Sequence, residues 1–294
     1  MILPRSESLY MESILQHLHI DLQTAQRKML DESWKTENFR KEFRIVPWCR
    51  FYLPLKGKAY YSFNNRRYTL RPGSILLIPP FFITQAQCDT TCDLCWVNFN
   101  TFIRNCKVDF FSLYHPPWEL PVENFDFFKT LFLRLLEVIR QLESSQNPHL
   151  RAAARFEAES IFRILILPFL RAAEPCEEDG GDMHSFFHLL NYIEEHLGEN
   201  LTLHHLAEQS GKNPTYLTNL FSKRIGLSLM RYCTIRKVVS ARNLLDNSNM
   251  NISEIAYSLG YADPNNFARI FKKIYGRSPL KVRKYPASPD PSPE

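Results

Sequence analysis

The chain has 294 residues, of which 45% are hydrophobic, and its formal net charge is +5. This length suits about two domains, and the apolar content suffices for ordinary buried cores. No run of about 18 apolar residues occurs, and Glu7, Glu12 and Asp21 interrupt the N-terminal segment, so we expect neither a membrane helix nor a signal peptide. Seven cysteines without a secretory signal predict free thiols in a reducing cytoplasm.

The segment before Trp48 gives mixed signals. Residues 9–19, LYMESILQHLH, have the apolar spacing of a short amphipathic helix. Residues 20–47 fit either an extended arm or a first pair of strands, and the pattern does not choose between them.

From about residue 48 the chain alternates short β-prone runs with turn signals. The runs predict strands at about 48–55, 58–64, 66–70, 74–78, 82–88 and 93–99. The turns are predicted at Lys56-Gly57, Asn64-Asn65 and Pro72-Gly73. Short antiparallel strands at this spacing predict a small barrel or jelly roll of the cupin type.

Two helices are predicted after the strands. In the first, the apolar residues step by three and four, which is the spacing of a short coiled-coil seam: Phe128, Leu131, Leu135, Val138 and Leu142. This seam fits either a dimer interface or packing of the helix onto its own barrel. The second helix, around 151–170, contains IFRILILPFL and should be largely buried. An acidic, Gly-containing linker is predicted at 174–183.

Residues 252–276, ISEIAYSLGYADPNNFARIFKKIYG, have the form of a helix-turn-helix. Ser253 is the predicted N-cap of a first helix over 254–259, and Gly260 is the predicted stop. Asp263-Pro264 predicts the start of a second helix. In that helix one apolar stripe recurs at helical spacing: Phe267, Ile270, Phe271 and Ile274.

The same pattern occurs earlier, at residues 203–226, LHHLAEQSGKNPTYLTNLFSKRIG. Ala207 corresponds to Ala256 and Gly211 to Gly260, each 49 residues apart. A spacing of 50 residues separates the later pairs, which are Pro214 and Pro264, Leu217 and Phe267, Phe221 and Phe271, Lys223 and Lys273, and Gly226 and Gly276. The chain therefore contains two copies of one unit.

Charge separates the repeat from the rest of the chain. Residues 200–285 contain 14 Lys or Arg and four acidic residues. Residues 1–199 contain 22 Lys or Arg and 25 acidic residues, so they carry no basic excess. A helical bundle that merely repeats would explain the apolar stripes but has no need of this excess. Basic charge confined to the repeat indicates a polyanionic partner.

These residues carry a resemblance to the AraC family of bacterial transcription regulators. Residues 184–285 resemble the family's DNA-binding domain, including the ending IYGRSPLKVRK. In the family a long helix holds the two units so that both enter the major groove, one DNA turn or about 34 Å apart. Residues 229–245 correspond to that helix. The run LKGKAYYSFNNRRYTLRPGSILLIPP, residues 55–80, resembles the family's sensor domain more loosely.

The expected fold class is α+β. A cupin-like antiparallel β-barrel with flanking helices is expected over residues 1–173, followed by the linker over 174–183. An all-α DNA-binding domain with two helix-turn-helix units is expected over 184–285, and a disordered tail over 286–294. The resemblance implies a sequence-specific transcription regulator that senses a small polar effector, such as a sugar, in its barrel. The implied partners are double-stranded DNA, the effector, a second copy of the chain and RNA polymerase, with no membrane.

The exposed side of the second helix in each unit matches the positions that contact bases in the family, and basic residues follow on the same side. The predicted DNA-binding residues are Thr215, Thr218, Asn219, Lys223, Asn265, Ala268, Arg269, Lys272 and Lys273. The two units are unequal, since only the second offers an arginine fork, Arg269, that can take both acceptors of a guanine. The alternative is that Arg269 holds a phosphate.

We predict no catalytic residue, no metal and no cofactor. Cupin enzymes hold a metal through barrel histidines, and the predicted strands contain none. Cys88, Cys92 and Cys95 lack the fourth ligand of a closed zinc site. His184 and His188, one turn apart, are more typical of a surface helix. No motif of a hydrolase, metalloprotease or phosphate-binding loop occurs.

The predicted effector-binding residues are Trp48, Arg50, Tyr52 and Trp96. The first three share one face of a strand, and Trp96 shares a face with Leu94 and Asn98. Aromatic faces with a few polar groups suit a sugar or a similar polar molecule, and the alternative is an ordinary core. Two other functions stay open, a DNA-architectural protein whose barrel only dimerises and a cupin enzyme joined to a DNA anchor.

Overall fold

The structure is a computed structural model that describes residues 12, 14–35, 48–63, 66–80, 84–103, 108–175, 183–275 and 277–284. Several sequence predictions fall outside these residues. They are the turn at Asn64-Asn65, most of the linker at 174–183, the glycine match at Gly276, the tail at 286–294 and the side chain of His184.

The N-terminal domain is built from antiparallel strands. The strands are β1 Leu18–Leu30, β2 Cys49–Gly57, β3 Ala59–Phe63, β4 Arg66–Leu70, β5 Ser74–Ile78, β6 Gln85–Gln87, β7 Cys92–Ile103, β8 Tyr114–His115, β9 Glu119–Pro121 and β10 Glu174–Pro175. The five-stranded sheet has the order β1-β7-β2-β5-β9, the three-stranded sheet has the order β4-β3-β6, and β10 pairs with β8. The six strands predicted from the sequence are confirmed as β2 to β7.

The expected barrel is two facing sheets in the described residues. Buried side chains from both sheets form one core, with Tyr52 and Trp96 on the larger sheet and Tyr61 and Tyr68 on the smaller one. The larger sheet has β1 and β9 at its edges, and no ladder in the described residues joins these edges to the smaller sheet. The fold class is confirmed, and the arrangement is a sandwich-like, open form of the barrel.

The predicted helix over 9–19 is wrong at its C-terminal end. Leu18 and His19 are the first residues of β1, which pairs with β7 along its whole length, from Leu18 opposite Ile103 to Leu30 opposite Cys92. Leu18 and Ile20 are buried while His19 is half-buried, so the burial period is already two at this point.

The two faces of the larger sheet have different neighbours. Phe51 packs on Phe132 and Phe162, with ring centroids 6.2 and 5.8 Å apart, so this face lies against two helices, α1 Phe125–Ser144 and α2 Pro148–Arg171. The next residue along the strand, Tyr52, faces the smaller sheet. Side-chain alternation along β2 therefore separates a helix-facing core from a sheet-facing interior.

The seam of α1 packs onto the chain's own domain. Leu135 and Val138 are both 0% exposed in the core beneath the larger sheet. A helix that lies on a sheet buries residues at the same three and four spacing as a coiled-coil strand, which is why the sequence could not choose between the two alternatives.

The C-terminal domain is helical. Its helices are α3 Met183–Glu195, α4 Leu203–Ser210, α5 Pro214–Arg224, α6 Leu229–Asn247, α7 Ile252–Ser258, α8 Pro264–Tyr275 and α9 Pro279–Lys284. The long helix predicted at 229–245 is confirmed as α6, which separates the α4–α5 pair from the α7–α8 pair. No helix in the described part of the chain is long and apolar enough to cross a membrane.

Candidate functional site: the paired helix-turn-helix surface and the sheet interior

The second helix-turn-helix unit, hereafter unit two, comprises α7 and α8. Asn251, and not Ser253, caps α7, because its side chain accepts from the Glu254 N–H at 2.9 Å while the Glu254 carboxylate accepts from the Asn251 N–H at 2.7 Å. This reciprocal capping box satisfies two otherwise unpaired donors, and it sets the helix start two residues earlier than predicted.

The turn of unit two requires glycine. Gly260 has φ +73°, and a Cβ added there would lie 2.5 Å from the carbonyl oxygen of Gly198. After the turn, the Asp263 carboxylate accepts from the N–H groups of Asn265 and Asn266 at 2.9 and 3.1 Å, which confirms the predicted start of α8. Phe267 and Phe271 are both 0% exposed, so one side of α8 is anchored in the core.

The first unit, hereafter unit one, comprises α4 and α5 and repeats this construction. Gly211, with φ +63°, ends α4 in the left-handed conformation. Asn213 caps α5 by accepting from the Tyr216 N–H at 2.7 Å. Leu217 and Phe221 are buried at the positions of Phe267 and Phe271. The sequence repeat is therefore also a structural repeat.

The predicted DNA-binding residues lie on the sides of α5 and α8 that face away from these cores. Thr218 and Ala268 are half-buried, and the other predicted residues are exposed: Thr215, Asn219, Lys223, Asn265, Arg269, Lys272 and Lys273. The Thr218 hydroxyl donates to the Pro214 carbonyl within its own helix at 2.9 Å. Arg269 Nη2 donates to Asn266 Oδ1 at 3.0 Å, so one edge of the guanidinium is held along the helix. Their roles in contacting DNA stay predictions.

Three of the four predicted effector residues meet between the two sheets of the N-terminal domain. Tyr52 pairs with Trp96 and Arg50 pairs with Asn98 across β2 and β7, so their side chains share one face. Arg50 is 1% exposed, and its Nη1 donates to the Thr84 hydroxyl at 3.1 Å. Its Nε and Nη2 meet no acceptor with hydrogen-bond geometry among the described residues, although the guanidinium lies close enough to the Tyr52 hydroxyl to exert a lowering effect on the Tyr52 pKa.

Tyr61, which the sequence pattern alone did not single out, completes this interior. Its ring lies 5.7 Å from the Arg50 guanidinium carbon, and its hydroxyl is 3.0 Å from that of Tyr52. Burial raises the pKa of Tyr52 well above its usual value, and the neighbouring Tyr61 adds to the effect. Alternation in AYYSF, where Ala59, Tyr61 and Phe63 are the buried set, was the signal that could have identified it.

Trp48 lies apart from the other three. It is 5% exposed, and its ring packs edge-on to that of Tyr275 at 6.0 Å, inside the core of unit two. Trp48 directly precedes β2, so the alternation that places Arg50 and Tyr52 between the sheets does not extend to it. The structure places this residue as a contact between the two domains.

The described cysteines of the N-terminal domain, Cys49, Cys88, Cys92 and Cys95, are buried free thiols. Burial raises the pKa of both Cys92 and Cys95 to about 12, which keeps them protonated at neutral pH. No cluster of three or more His, Cys, Asp or Glu side chains suited to a metal ion occurs in the described part of the chain.

Two family models match the chain. The AraC-like ligand binding domain matches residues 32–158, and the helix-turn-helix domain matches residues 206–285. Each match lies within one of the two domains of the structure. A ligand-binding domain joined to a tandem helix-turn-helix domain defines the class of two-domain DNA-binding regulators. The chain belongs to the AraC family of transcription regulators.

Named relatives share this description. The HTH-type transcriptional activator Btr of Bacillus subtilis is 28% identical over 246 residues, which cover 80% of this chain and 44% of Btr. The HTH-type transcriptional activator RhaS of Escherichia fergusonii is 29% identical over 153 residues, covering 50% of this chain and 54% of RhaS. The chain thus spans about half the length of these two relatives. A solved structure of fatty-acid-bound ToxT from Vibrio cholerae is 14% identical, with a TM-score of 0.48, over 93% of this chain and 98% of ToxT.

Proposed function

We propose that this chain is a cytoplasmic, non-enzymatic regulator of transcription that binds specific DNA through its two helix-turn-helix units and responds to a small polar effector bound between its sheets. One observation carries the proposal. The chain presents two helix-turn-helix units of the same construction, each with an exposed polar and basic helix face, and its other domain has a buried interior in which two donors of Arg50 lack acceptors. The relatives named above are transcription activators, which supports the same conclusion.

The DNA-binding part rests on the faces of α5 and α8. Each helix is fixed from behind by buried aromatic or leucine side chains, and each presents its N-terminal exposed residues and its lysines to solvent. Lysines neutralise phosphates, while the residues near the helix start reach base edges in the major groove. The spacing helix α6 has 19 residues, or about 28 Å at 1.5 Å per residue, which suits two insertions one DNA turn apart.

A mobility-shift titration of the full chain on its own upstream DNA tests this part. If several phosphates are neutralised, the logarithm of the binding constant should fall against the logarithm of salt with a slope of about −0.9 per phosphate. A flat salt response would contradict phosphate-based DNA binding.

The effector part rests on Arg50. A buried guanidinium normally finds acceptors for its donors, and here Nε and Nη2 have none among the described residues. A ligand with adjacent acceptor oxygens, such as sugar hydroxyls or a carboxylate, would satisfy both donors, while Tyr52, Tyr61 and Trp96 would cover its apolar faces.

A thermal-shift screen of sugars and small carboxylates distinguishes a sensor from an architectural DNA protein. A ligand that binds only the folded state raises the unfolding midpoint by mass action, and a scaffold shows no such rise. The shift should be lost in Arg50→Met and kept in a matched surface variant, Arg66→Met. If no compound shifts the unfolding midpoint, the result favours the alternative of an architectural DNA-binding protein.

Contact with RNA polymerase belongs to the same proposal, since both relatives are named activators. We also propose a homodimer, because large apolar side chains of the N-terminal domain are exposed. Because Leu135 is buried in the chain's own core, Leu135→Asp would unfold the domain and is no test of a dimer. The exposed apolar side chains of α1 and α2 are the candidates instead, with Phe156 75%, Leu150 62% and Phe127 47% exposed. Phe156→Glu should give folded monomers by sedimentation, and an unchanged dimer would place the interface elsewhere.

A further inference from the structure

A cavity of about 390 Å³ lies between the N-terminal domain and the helices of the DNA-binding domain. Its N-terminal wall includes Asp21 of β1, Thr101 of β7 and Asp109. Its C-terminal wall comes from α3 and α6, including Glu194 and Arg236. The volume is within the range of small-molecule sites. This cavity is distinct from the sheet interior around Arg50, none of whose residues line it.

Asp109 is the most constrained acidic group of the cavity wall. Its side chain is 5% exposed, Oδ1 accepts a hydrogen bond from the Thr101 hydroxyl, and the Phe111 backbone N–H also supports the carboxylate. Oδ2 is closed off from solvent and has no hydrogen-bond partner among the described residues. A buried carboxylate oxygen without a donor is costly, so it marks a position where a ligand can contribute one.

The cavity carries more negative than positive charge. Arg236 makes a two-pronged contact with Glu194, Nε to Oε1 at 2.6 Å and Nη2 to Oε2 at 2.9 Å, and so neutralises that carboxylate. Asp21, Asp109 and Glu195 also line the wall and form no ion pair with any described residue. The site therefore has an excess of carboxylates that an incoming cation would balance.

The remaining wall is apolar. Leu197, Val239, Leu244 and Leu259 line the cavity beside the carboxylates. Such a surface suits the hydrocarbon part of a ligand, while the charged head is held by acceptors. A bare metal ion fits this site poorly, since no metal-suited cluster of His, Cys, Asp or Glu occurs in the described residues.

We propose that this cavity is a second ligand site, which binds a small organic cation, an amine or guanidinium with an apolar body, through Asp109 at its inner end. The cation pairs with the Asp109 carboxylate, whose side chain turns to present Oδ2 to the cavity, and the apolar body lies against α6. The ligand would touch the N-terminal domain and the end of α7 at once, because Ser258 and Leu259 also line the cavity. It would thus connect the sensor to unit two without entering the sheet interior.

The protonation of Asp109 gives the site a defined pH dependence. Burial raises the pKa of Asp109 to about 6, against the lowering effects of Thr101, Arg236 and Phe111, while Glu194 raises it further. Tyr232 and Cys49 also lie within electrostatic range of Asp109. A cation binds the deprotonated carboxylate, so its affinity should rise as the pH rises through about 6 and then level off.

Calorimetric titration of the full chain with matched compounds tests the proposal. 2-Phenylethylamine, agmatine and 1,5-diaminopentane serve as the cationic probes, and 3-phenylpropionate and 2-phenylethanol serve as charge controls of similar shape to the first. At least one amine should bind saturably at up to millimolar concentration, and the carboxylate and alcohol should not. Binding of the wild-type chain should weaken at about pH 5 relative to about pH 7.5. Calorimetry measures amine binding without DNA. A negative result would therefore overturn this ligand site and would leave the proposed DNA binding unaffected.

Two variants locate the site. Asp109→Asn keeps the shape of the side chain and should weaken amine binding about ten- to one-hundred-fold, as expected for a hydrogen bond to a charged group. Asp126→Asn, at the exposed start of α1, is the matched control and should bind as the wild type does. If Asp109→Asn does not fold, the pH dependence of the wild type and Val239→Trp, which fills the cavity, replace it. The proposal is overturned if no amine binds, if phenylpropionate binds equally well, or if folded Asp109→Asn binds like the wild type.

Discussion

The two helix-turn-helix units share a sequence pattern and a local structure, but they pack in different cores. The buried residues of unit one, Leu206, Leu217 and Phe221, belong to the large core that continues into the N-terminal domain. Those of unit two, such as Phe267 and Phe271, form a separate core with α6 and α9. In the described residues, Trp48 is the one N-terminal residue in that second core.

This difference shows that an internal repeat encodes the motif but not its surroundings. Unit one is fixed to the sensor through a shared hydrophobic core. Unit two is linked to that core by α6 and by Ile274, which packs against both cores, and it meets the sensor in the aromatic contact of Trp48 with Tyr275. Cooperative packing transmits changes where the core is continuous, so we expect the sensor and unit one to behave as one body and unit two to be more independent.

The largest expected effect compares Phe221→Ala with Phe271→Ala. Both side chains are 0% exposed, so each substitution should lower the free energy of unfolding of its own core by about 3–5 kcal/mol. Phe221→Ala should also speed amide hydrogen exchange in the sheets of the sensor, because its core is shared with them. Phe271→Ala should speed exchange in α7 and α8 and leave the sheets unchanged.

Met29→Ala is the control for this pair, since its side chain is 58% exposed and its loss should barely alter exchange. Equal acceleration in the sheets by both core substitutions would mean that the two cores unfold together, and the proposed independence of unit two would be wrong.

The next effect concerns the link itself. Trp48→Ala should cost about 3 kcal/mol, the low end of the range for buried aromatics, because Trp48 lies between domains and its neighbours can relax. Exchange should increase in α7 and α8 but not in α4. Trp118→Ala, which removes a half-buried tryptophan that packs on Phe63 at the margin of the inter-sheet core, should leave α7 and α8 as they are. Unchanged hydrogen exchange in α8 after Trp48→Ala would show that Trp48 does not couple the N-terminal domain to unit two.

Local rules explain why much of this fold could be predicted from the sequence. Asp263-Pro264 and Gly260 determine a helix start and a turn through hydrogen bonds and backbone angles that involve only near neighbours. The same holds for strands β2 to β7, whose alternation is visible residue by residue. Ser253 has the composition of a cap but does not act as one, because Asn251 and Glu254 form a reciprocal pair that depends on two residues at once.

The features of the fold that could not be predicted from the sequence depend on long-range packing. Nothing local distinguishes a Leu135 seam on a sheet from one on a second helix, and nothing in the sequence around Trp48 shows that Tyr275 is its partner. The pairing of β1 with β7 joins residues more than 60 positions apart, so its strand character was obscured by a helical pattern at its start. The interior around Arg50 was found because its residues alternate on two neighbouring strands, and Tyr61 was missed because it lies on the other sheet.

A smaller effect tests the functional difference between the units. Arg269 in unit two offers a bidentate donor, whereas unit one has Asn219 at the corresponding place. If Arg269 reads a base, Arg269→Ala should cost about 1–3 kcal/mol on the preferred site and relax the preference at one base pair. If it holds a phosphate, affinity should fall about equally on all sequences. Site selection from a random DNA library with both proteins measures the outcome.

Lys273→Ala is the control for Arg269, because a lysine at the end of α8 should contact phosphate alone and reduce the salt slope by about one unit. Identical base preferences of the wild type and Arg269→Ala at every position would exclude base reading by Arg269.

The smallest expected effect compares the caps of the two reading helices. Asp263 caps α8 with a carboxylate, and Asn213 caps α5 with an amide. Alanine at either position should cost about 1 kcal/mol of stability, because one helix N–H loses its acceptor. Asp263→Asn keeps an acceptor but removes a negative charge at the start of the helix proposed to enter the groove. DNA affinity at low salt should therefore rise severalfold, while stability changes by only a few tenths of a kcal/mol. Asn213→Asp should lower affinity in the same proportion. Mobility shifts at low and high salt measure both, and an Asp263→Asn gain that persists at high salt would show that charge is not its cause.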